Sequence, residues 1–113
     1  MLSSTLEGLR VLDIGTRLST GWCSRLLADF GADVVLVEES FEHQARSHPP
    51  FDEKAQSILA RYLLSNKKIG DPQICAGLLS EADVIVTSDL SARSILELYP
   101  SAIVVAITPY GQS

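Results

Sequence analysis

The chain lacks what would mark a nucleic-acid binder, a membrane span or a disulfide-stapled domain. Its 113 residues carry 9 Lys and Arg against 14 Asp and Glu, a formal charge of −5. Phosphate-rich and anionic surfaces demand a basic face, so general nucleic-acid binding and attachment to anionic membranes are excluded. Apolar runs are brief, such as Val34 to Val37 and Ala102 to Ile107, far short of the roughly 20 residues that span a bilayer. The opening MLSSTLEGLR has no basic segment followed by an apolar one, so no secretory signal is expected. The two cysteines, Cys23 and Cys75, show neither C-x-x-C nor metal-ligand spacing and read as reduced, largely buried thiols. Low-complexity tracts and internal repeats are also missing. These absences predict a cytoplasmic protein without a metal site.

What is present suits a folded domain. With 46% hydrophobic and 20% charged residues, a chain of this length can bury one core without a staple, so residues 1–113 are expected to form a single domain. Strands are predicted at Leu9–Ile14, ended by Gly15, and at Asp33–Val37, Asp83–Thr87 and Ala102–Ile107. Between the first two, Ser19 or Thr20 is positioned to cap a helix. Its residues Trp22, Cys23, Leu26, Leu27 and Phe30 share one face, and Gly31 suits its left-handed end. Glu39 to Pro50 is polar and reads as a surface loop. Ala55, Ile58, Leu59, Tyr62 and Leu63 predict a second helix. Asp71-Pro72 reads as the start of a third, with Ile74, Cys75, Leu78 and Leu79 inward. Ser91 caps a fourth that Pro100 stops. Continuous apolar strands alternating with helices predict an α/β fold, an open and mainly parallel sheet with helices on both faces.

Such sheets bind ligands beyond the carboxyl ends of their strands. The candidate loops are therefore Gly15 to Thr20, Glu38 to Ser40, Ser88 to Ser91 and Thr108 to Gly111. The first opens a helix, whose amino-terminal amides and dipole suit a phosphate. Yet Gly15, Gly21 and Gly31 do not form G-x-G-x-x-G, and Arg17 and Leu18 fill the turn. Glu38 stands about where a ribose-binding acid would, but one acid at a strand end reads first as a solvated carboxylate. His43 and His48 read as exposed histidines rather than a metal pair. Asp13 alone does not make a phospho-receiver, which needs an acidic pair and a late lysine. Lys67-Lys68, Arg17 and Arg93 suit either a phosphate clamp or a solvated surface. From residues alone the reading stops at an α/β domain with a nucleotide-type first turn.

The stretch LEGLRVLDIGTRLSTGWCSRLLADFGADVVLVEE, with NKK at Asn66–Lys68, EADVIVTS at Glu81–Ser88 and LYPSAIVVAITPYGQS at Leu98–Ser113, resembles the amino-terminal part of family III CoA-transferases. This CaiB/BaiF group includes formyl-CoA and carnitine-CoA transferases and alpha-methylacyl-CoA racemase. The resemblance covers nearly the whole chain in order. It implies a Rossmann-like domain that binds coenzyme A or acyl-CoA, belonging to a larger transferase chain that forms an interlocked homodimer. It places Thr16, Arg17 and Leu18 against the coenzyme and Lys67 near its nucleotide. The aspartate that carries acyl groups in this family lies beyond the final G-Q segment, so no catalytic residue is assigned within these 113 residues.

The chain also departs from the family pattern. Glu39 stands where some members place an arginine near the adenine, and Ser88-Asp89 replaces Asn-Phe. The segments after Lys68 and before Leu98 are short. These departures define the alternative to coenzyme binding: a degenerate, non-catalytic scaffold or dimerisation domain.

Overall fold

The strands are short and bounded by glycine or polar turns, and the central ones, such as Val84–Thr87, are rich in β-branched residues and buried on both faces. In the computed structural model, which describes residues 5–38, 43–70, 76–88 and 92–108, five strands form one sheet. They are β1 (Arg10–Asp13), β2 (Asp33–Val37), β3 (Lys68–Gly70), β4 (Val84–Thr87) and β5 (Ile103–Ala106), in the order β3-β2-β1-β4-β5. Every neighbouring pair is parallel. Val11 at the centre registers with Val34 on one side and Val84 on the other. The predicted parallel α/β sheet is therefore present, with all four predicted strands in it. Strand β3 is an addition, because Lys68-Ile69-Gly70 has neither the length nor the alternation of a strand. It is one because Val35 to Val37 pair with it.

Three α-helices accompany the sheet among the described residues: α1 (Leu18–Asp29), α2 (Ile58–Leu64) and α3 (Ala92–Leu98). Two 3-10 segments lie at Gln44–Ser47 and Ala76–Glu81. Helix α1 starts earlier than its predicted caps. Arg17 occupies the N-cap position without a side-chain bond, and the Thr20 hydroxyl, one turn in, donates to the Arg17 carbonyl at 2.9 Å. Gly31 ends the helix as predicted, at φ 103°. Helix α2 starts later than predicted. Ser57 caps it by accepting the Ala60 N–H at 3.2 Å, while Ala55 lies before it at φ 60°. The Asp52 carboxylate shapes that preceding turn by accepting the N–H groups of Lys54 and Gln56 at 2.8 and 3.0 Å. The predicted third helix is a 3-10 segment where it is described; its start at Asp71-Pro72, the Ser91 cap, Cys75 and the tail from Pro109 lie outside the described residues.

The core follows the pleat. Val11, Val34, Val84 and Val86 face α1 and pack with its Cys23 and Leu27. Toward the β3 edge, Leu36 packs with Ala45 and with Ala60, Leu63 and Leu64 of α2. Leu12 and Val35 line a hollow with Leu78 of the later 3-10 segment. Fully burying a Val or Leu side chain such as Val34 or Leu36 contributes roughly 1.5–3 kcal/mol. The predicted inward stripe of α1 is corrected: Trp22, Leu26 and Phe30 are 45%, 54% and 57% exposed. The buried residues of this helix are instead Thr20, Gly21 and Ser24. Small and polar, they let the helix come down close onto the end of β1. Likewise Ile58 and Tyr62 of α2 are exposed, and Tyr62 packs against Trp22 with ring centres 5.5 Å apart.

Candidate functional site

The strand order reverses at β1, which has β2 on one side and β4 on the other. That reversal is the place where open α/β sheets leave a crevice at the strands' carboxyl ends. Residues 14–17 leave β1 there and enter α1. Gly15 is required by closeness: a Cβ on it would stand 2.3 Å from Thr20 Oγ1 and 2.5 Å from Thr20 Cβ. This single glycine lets the helix approach, which accounts for a nucleotide-type turn without the three-glycine spacing.

Asp13, the last residue of β1, is completely buried. Its carboxylate accepts the Gly15 N–H at 2.9 Å and the Ser24 hydroxyl at 2.5 Å. The Lys67 ammonium lies 3.9 Å away, with both side chains 0% exposed, and donates to the Gly21 carbonyl at 3.0 Å. Burial raises the Asp13 pKa, against the opposing effects of Ser24, Gly15 and Lys67. Burial lowers the Lys67 pKa, with Asp13 opposing it. The half-buried Cys23 thiol feels the same field: burial and then Asp13 raise its pKa, and Lys67 opposes them.

The amides of Gly15, Thr16 and Leu18 are engaged by the chain itself. Beyond the Gly15–Asp13 bond, the Thr16 N–H donates to Ser88 Oγ at 3.2 Å, joining the ends of β1 and β4 across the switch point. The Leu18 N–H donates to Gln44 Oε1 at 2.9 Å, and the Gln44 N–H donates to the Thr16 carbonyl at 2.6 Å. Among the predicted site residues, Thr16 and Leu18 are half-buried and Arg17 is exposed. Lys67 bonds to none of these three but to Asp13 and Gly21, which flank the turn.

Two expectations about the neighbouring segment are overturned. His43 is 2% exposed rather than a surface histidine. Its Nδ1 accepts the Ala45 N–H at 3.1 Å, which leaves the ring proton on Nε2, a buried atom without a partner among the described residues. Burial, reinforced by Lys67, lowers its pKa to about 4. Glu38 is neither free to take a ribose nor solvated. Its carboxylate receives the Arg46 guanidinium in two bonds, of 2.7 and 2.6 Å, and the His43 N–H at 3.0 Å. Burial would raise its pKa, but Arg46 and His43 outweigh burial and hold it low. Lys68 is exposed and pairs with Asp33 at 3.4 Å. Glu39, Asp89 and the Arg93 side chain lie outside the description. Among the described residues no three His, Cys, Asp or Glu side chains gather as a metal site.

A cleft of about 520 Å³ lies away from the turn, between α2 and the β3 edge. Arg46 and Arg61 on its wall are paired with Glu38 and Asp52. The residues that inspection of the sequence missed are Ser24, Gln44, Arg46 and the buried role of His43. Ser24 had a signal, lying one turn from Thr20. The others, in a polar loop without periodicity, had none.

A parallel sheet whose first strand, close turn and helix meet at the switch point is a Rossmann-like unit. The chain belongs to CoA-transferase family III, whose family model matches residues 6–113. It is 39% identical over 93 residues to a succinyl-CoA:mesaconate CoA-transferase of Haloarcula marismortui, covering 72% of this chain and 24% of that one. It is 30% identical over 132 positions to a succinate–glutarate CoA-transferase of Agrobacterium fabrum, covering 96% of this chain and 33% of that one. That alignment is longer than this chain, so the relative carries insertions here. A CaiB/BaiF family protein from Brucella suis has the same fold, with a TM-score of 0.74 at 24% identity over 95% of this chain and 34% of its own. The chain thus spans about a quarter to a third of these relatives. Among the described residues no helix is long and apolar enough to cross a membrane.

Proposed function

We propose that residues 1–113 form one coenzyme A-binding domain, the amino-terminal part of an acyl-CoA transferase or racemase-like protein, acting in the cytoplasm. Coenzyme A or an acyl-CoA is its ligand, held at the β1–α1 turn by Thr16, Arg17 and Leu18, with Lys67 completing that site. The observation that carries this reading is the placement of the turn. It combines the switch point, a helix amino terminus and an exposed arginine in a chain whose relatives are named as CoA-transferases. A helix amino terminus and a guanidinium both favour phosphate oxygens. Acyl transfer itself is assigned to a larger chain and its homodimer, not to these residues.

A second reading is favoured by a specific feature. The amides of Gly15, Thr16 and Leu18 are already satisfied by Asp13, Ser88 and Gln44, as in a scaffold that has closed its own ligand turn. Titration of the chain with coenzyme A, followed by backbone amide shifts, separates the two. Saturable shifts at Gly15 to Gly21 with a dissociation constant on the order of 0.1–1 mM, weakened by Arg17→Ala, are the expected result. An unresponsive turn at millimolar coenzyme A leaves the scaffold.

A further inference from the structure

We propose that Lys67 is a positioning residue: its buried ammonium, shared by the Asp13 carboxylate and the Gly21 carbonyl, locks the end of β1, the following turn and the first coil of α1 into one geometry, and it serves a ligand through that turn instead of touching it. Three observations converge. The Lys67 side chain is 0% exposed, and so is that of Asp13. The ammonium has one partner on each side of the turn, Asp13 on the strand and Gly21 on the helix. To reach an anion above the turn it would have to surrender both.

The segment that carries Lys67 is itself fastened to α1. Asn66, at φ 64°, donates from its amide to Asp29 Oδ1 at 3.0 Å. Arg25 binds the same Asp29 carboxylate and donates to the Tyr62 carbonyl and to Ser65 Oγ. Lys67 thus arrives beneath the helix from a corner tied to it elsewhere. Asp13 passes the constraint on, because the same carboxylate holds the Gly15 N–H and the Ser24 hydroxyl. A lysine that merely filled space would need no carboxylate, and a ligand-contacting lysine would need an open end.

The test compares Lys67→Met, Lys67→Arg, Asp13→Asn and the double variant in the 113-residue chain. Hydrogen exchange at Gly15 is read against Val35, an amide of the central β1–β2 ladder that reports global opening. Positioning predicts that Lys67→Met and Asp13→Asn each speed Gly15 exchange by about tenfold relative to Val35, the loss expected for one charge-assisted hydrogen bond. The double variant recovers part of that loss, which keeps the test decisive if the Lys67→Met single variant folds poorly. The pH midpoint of Cys23 alkylation should rise in Lys67→Met and fall in Asp13→Asn, since these groups set the charge beside the thiol. The arm that adds coenzyme A rests on the reading above. There positioning predicts weaker binding in Asp13→Asn as well as Lys67→Met, with partial rescue by Lys67→Arg. Direct contact predicts the reverse for Asp13→Asn, which frees the ammonium. Unchanged Gly15 exchange and an unmoved Cys23 midpoint in Lys67→Met would overturn the proposal. If the unsubstituted chain does not bind coenzyme A, that reading fails alone, and exchange and alkylation still decide this one.

Discussion

Two levels of the same sheet, separated by only a few residues along each strand, are built from opposite chemistry. At the waist, Val11, Val34 and Val84 lie side by side and bury only hydrocarbon. At the carboxyl end the buried groups are Asp13, Glu38 and Thr87, joined by Thr20, Ser24, His43 and Lys67. The waist tolerates approximate packing, because dispersion and apolar burial are not directional. The carboxyl end does not, because a buried charge is stable only while its partners hold their positions. The level that resembles a ligand site is therefore also the level whose geometry depends most on single residues.

The comparison breaks most sharply at Lys67. Lys67→Met strands a buried carboxylate and should cost about 3–5 kcal/mol, the range for removing one partner of a buried pair, read by urea unfolding. Asp13→Asn with Lys67→Met should cost much less than the sum of the singles. Additive losses would show that the two side chains do not couple. At the apolar level, Leu36→Ala should cost about 2–5 kcal/mol through the cavity it leaves. That loss should be independent of pH, because it removes only hydrocarbon.

His43 supplies the pH test. Its ordinary value is 6.5 and its folded value about 4, so between those limits the unfolded chain binds a proton that the folded chain refuses. Stability is therefore full above about pH 6.5 and declines as pH falls toward 4, by at most roughly 3 kcal/mol. Unfolding measured from pH 7.5 to 4.5 should show this slope, and His43→Gln should flatten it. A slope identical in the variant would assign it to other groups. The smallest effect is expected at the surface pair: Arg61 is largely exposed, so Arg61→Ala should leave urea unfolding nearly unchanged and lose any difference in high salt.

What could be read directly follows the same division. The four main strands, Gly31 and the buried half of α2 were legible, because each carries a local pattern: β-branched runs, a glycine at a helix end, apolar residues at helical spacing. Trp22, Leu26 and Phe30 misled for the same reason. Helical spacing identifies a stripe but not which stripe meets the sheet, and here the small residues Thr20, Gly21 and Ser24 won that place by permitting close approach. The resemblance pointed to Thr16, Arg17, Leu18 and Lys67 but not to the direction from which each arrives.

By itself, then, the sequence determined the α/β class, the parallel waist and the family, since all three rest on patterns among residues close along the chain or on motifs kept in order. The tertiary structure alone decided that Lys68-Ile69-Gly70 is an edge strand, that His43 is buried, that Arg46 neutralises Glu38, and that Lys67 turns inward to Asp13. The physical reason is that each of these depends on a partner at a distance. A three-residue strand exists only beside another strand, and a buried charge only beside its counter-charge, so neither leaves a mark in the residues immediately around it.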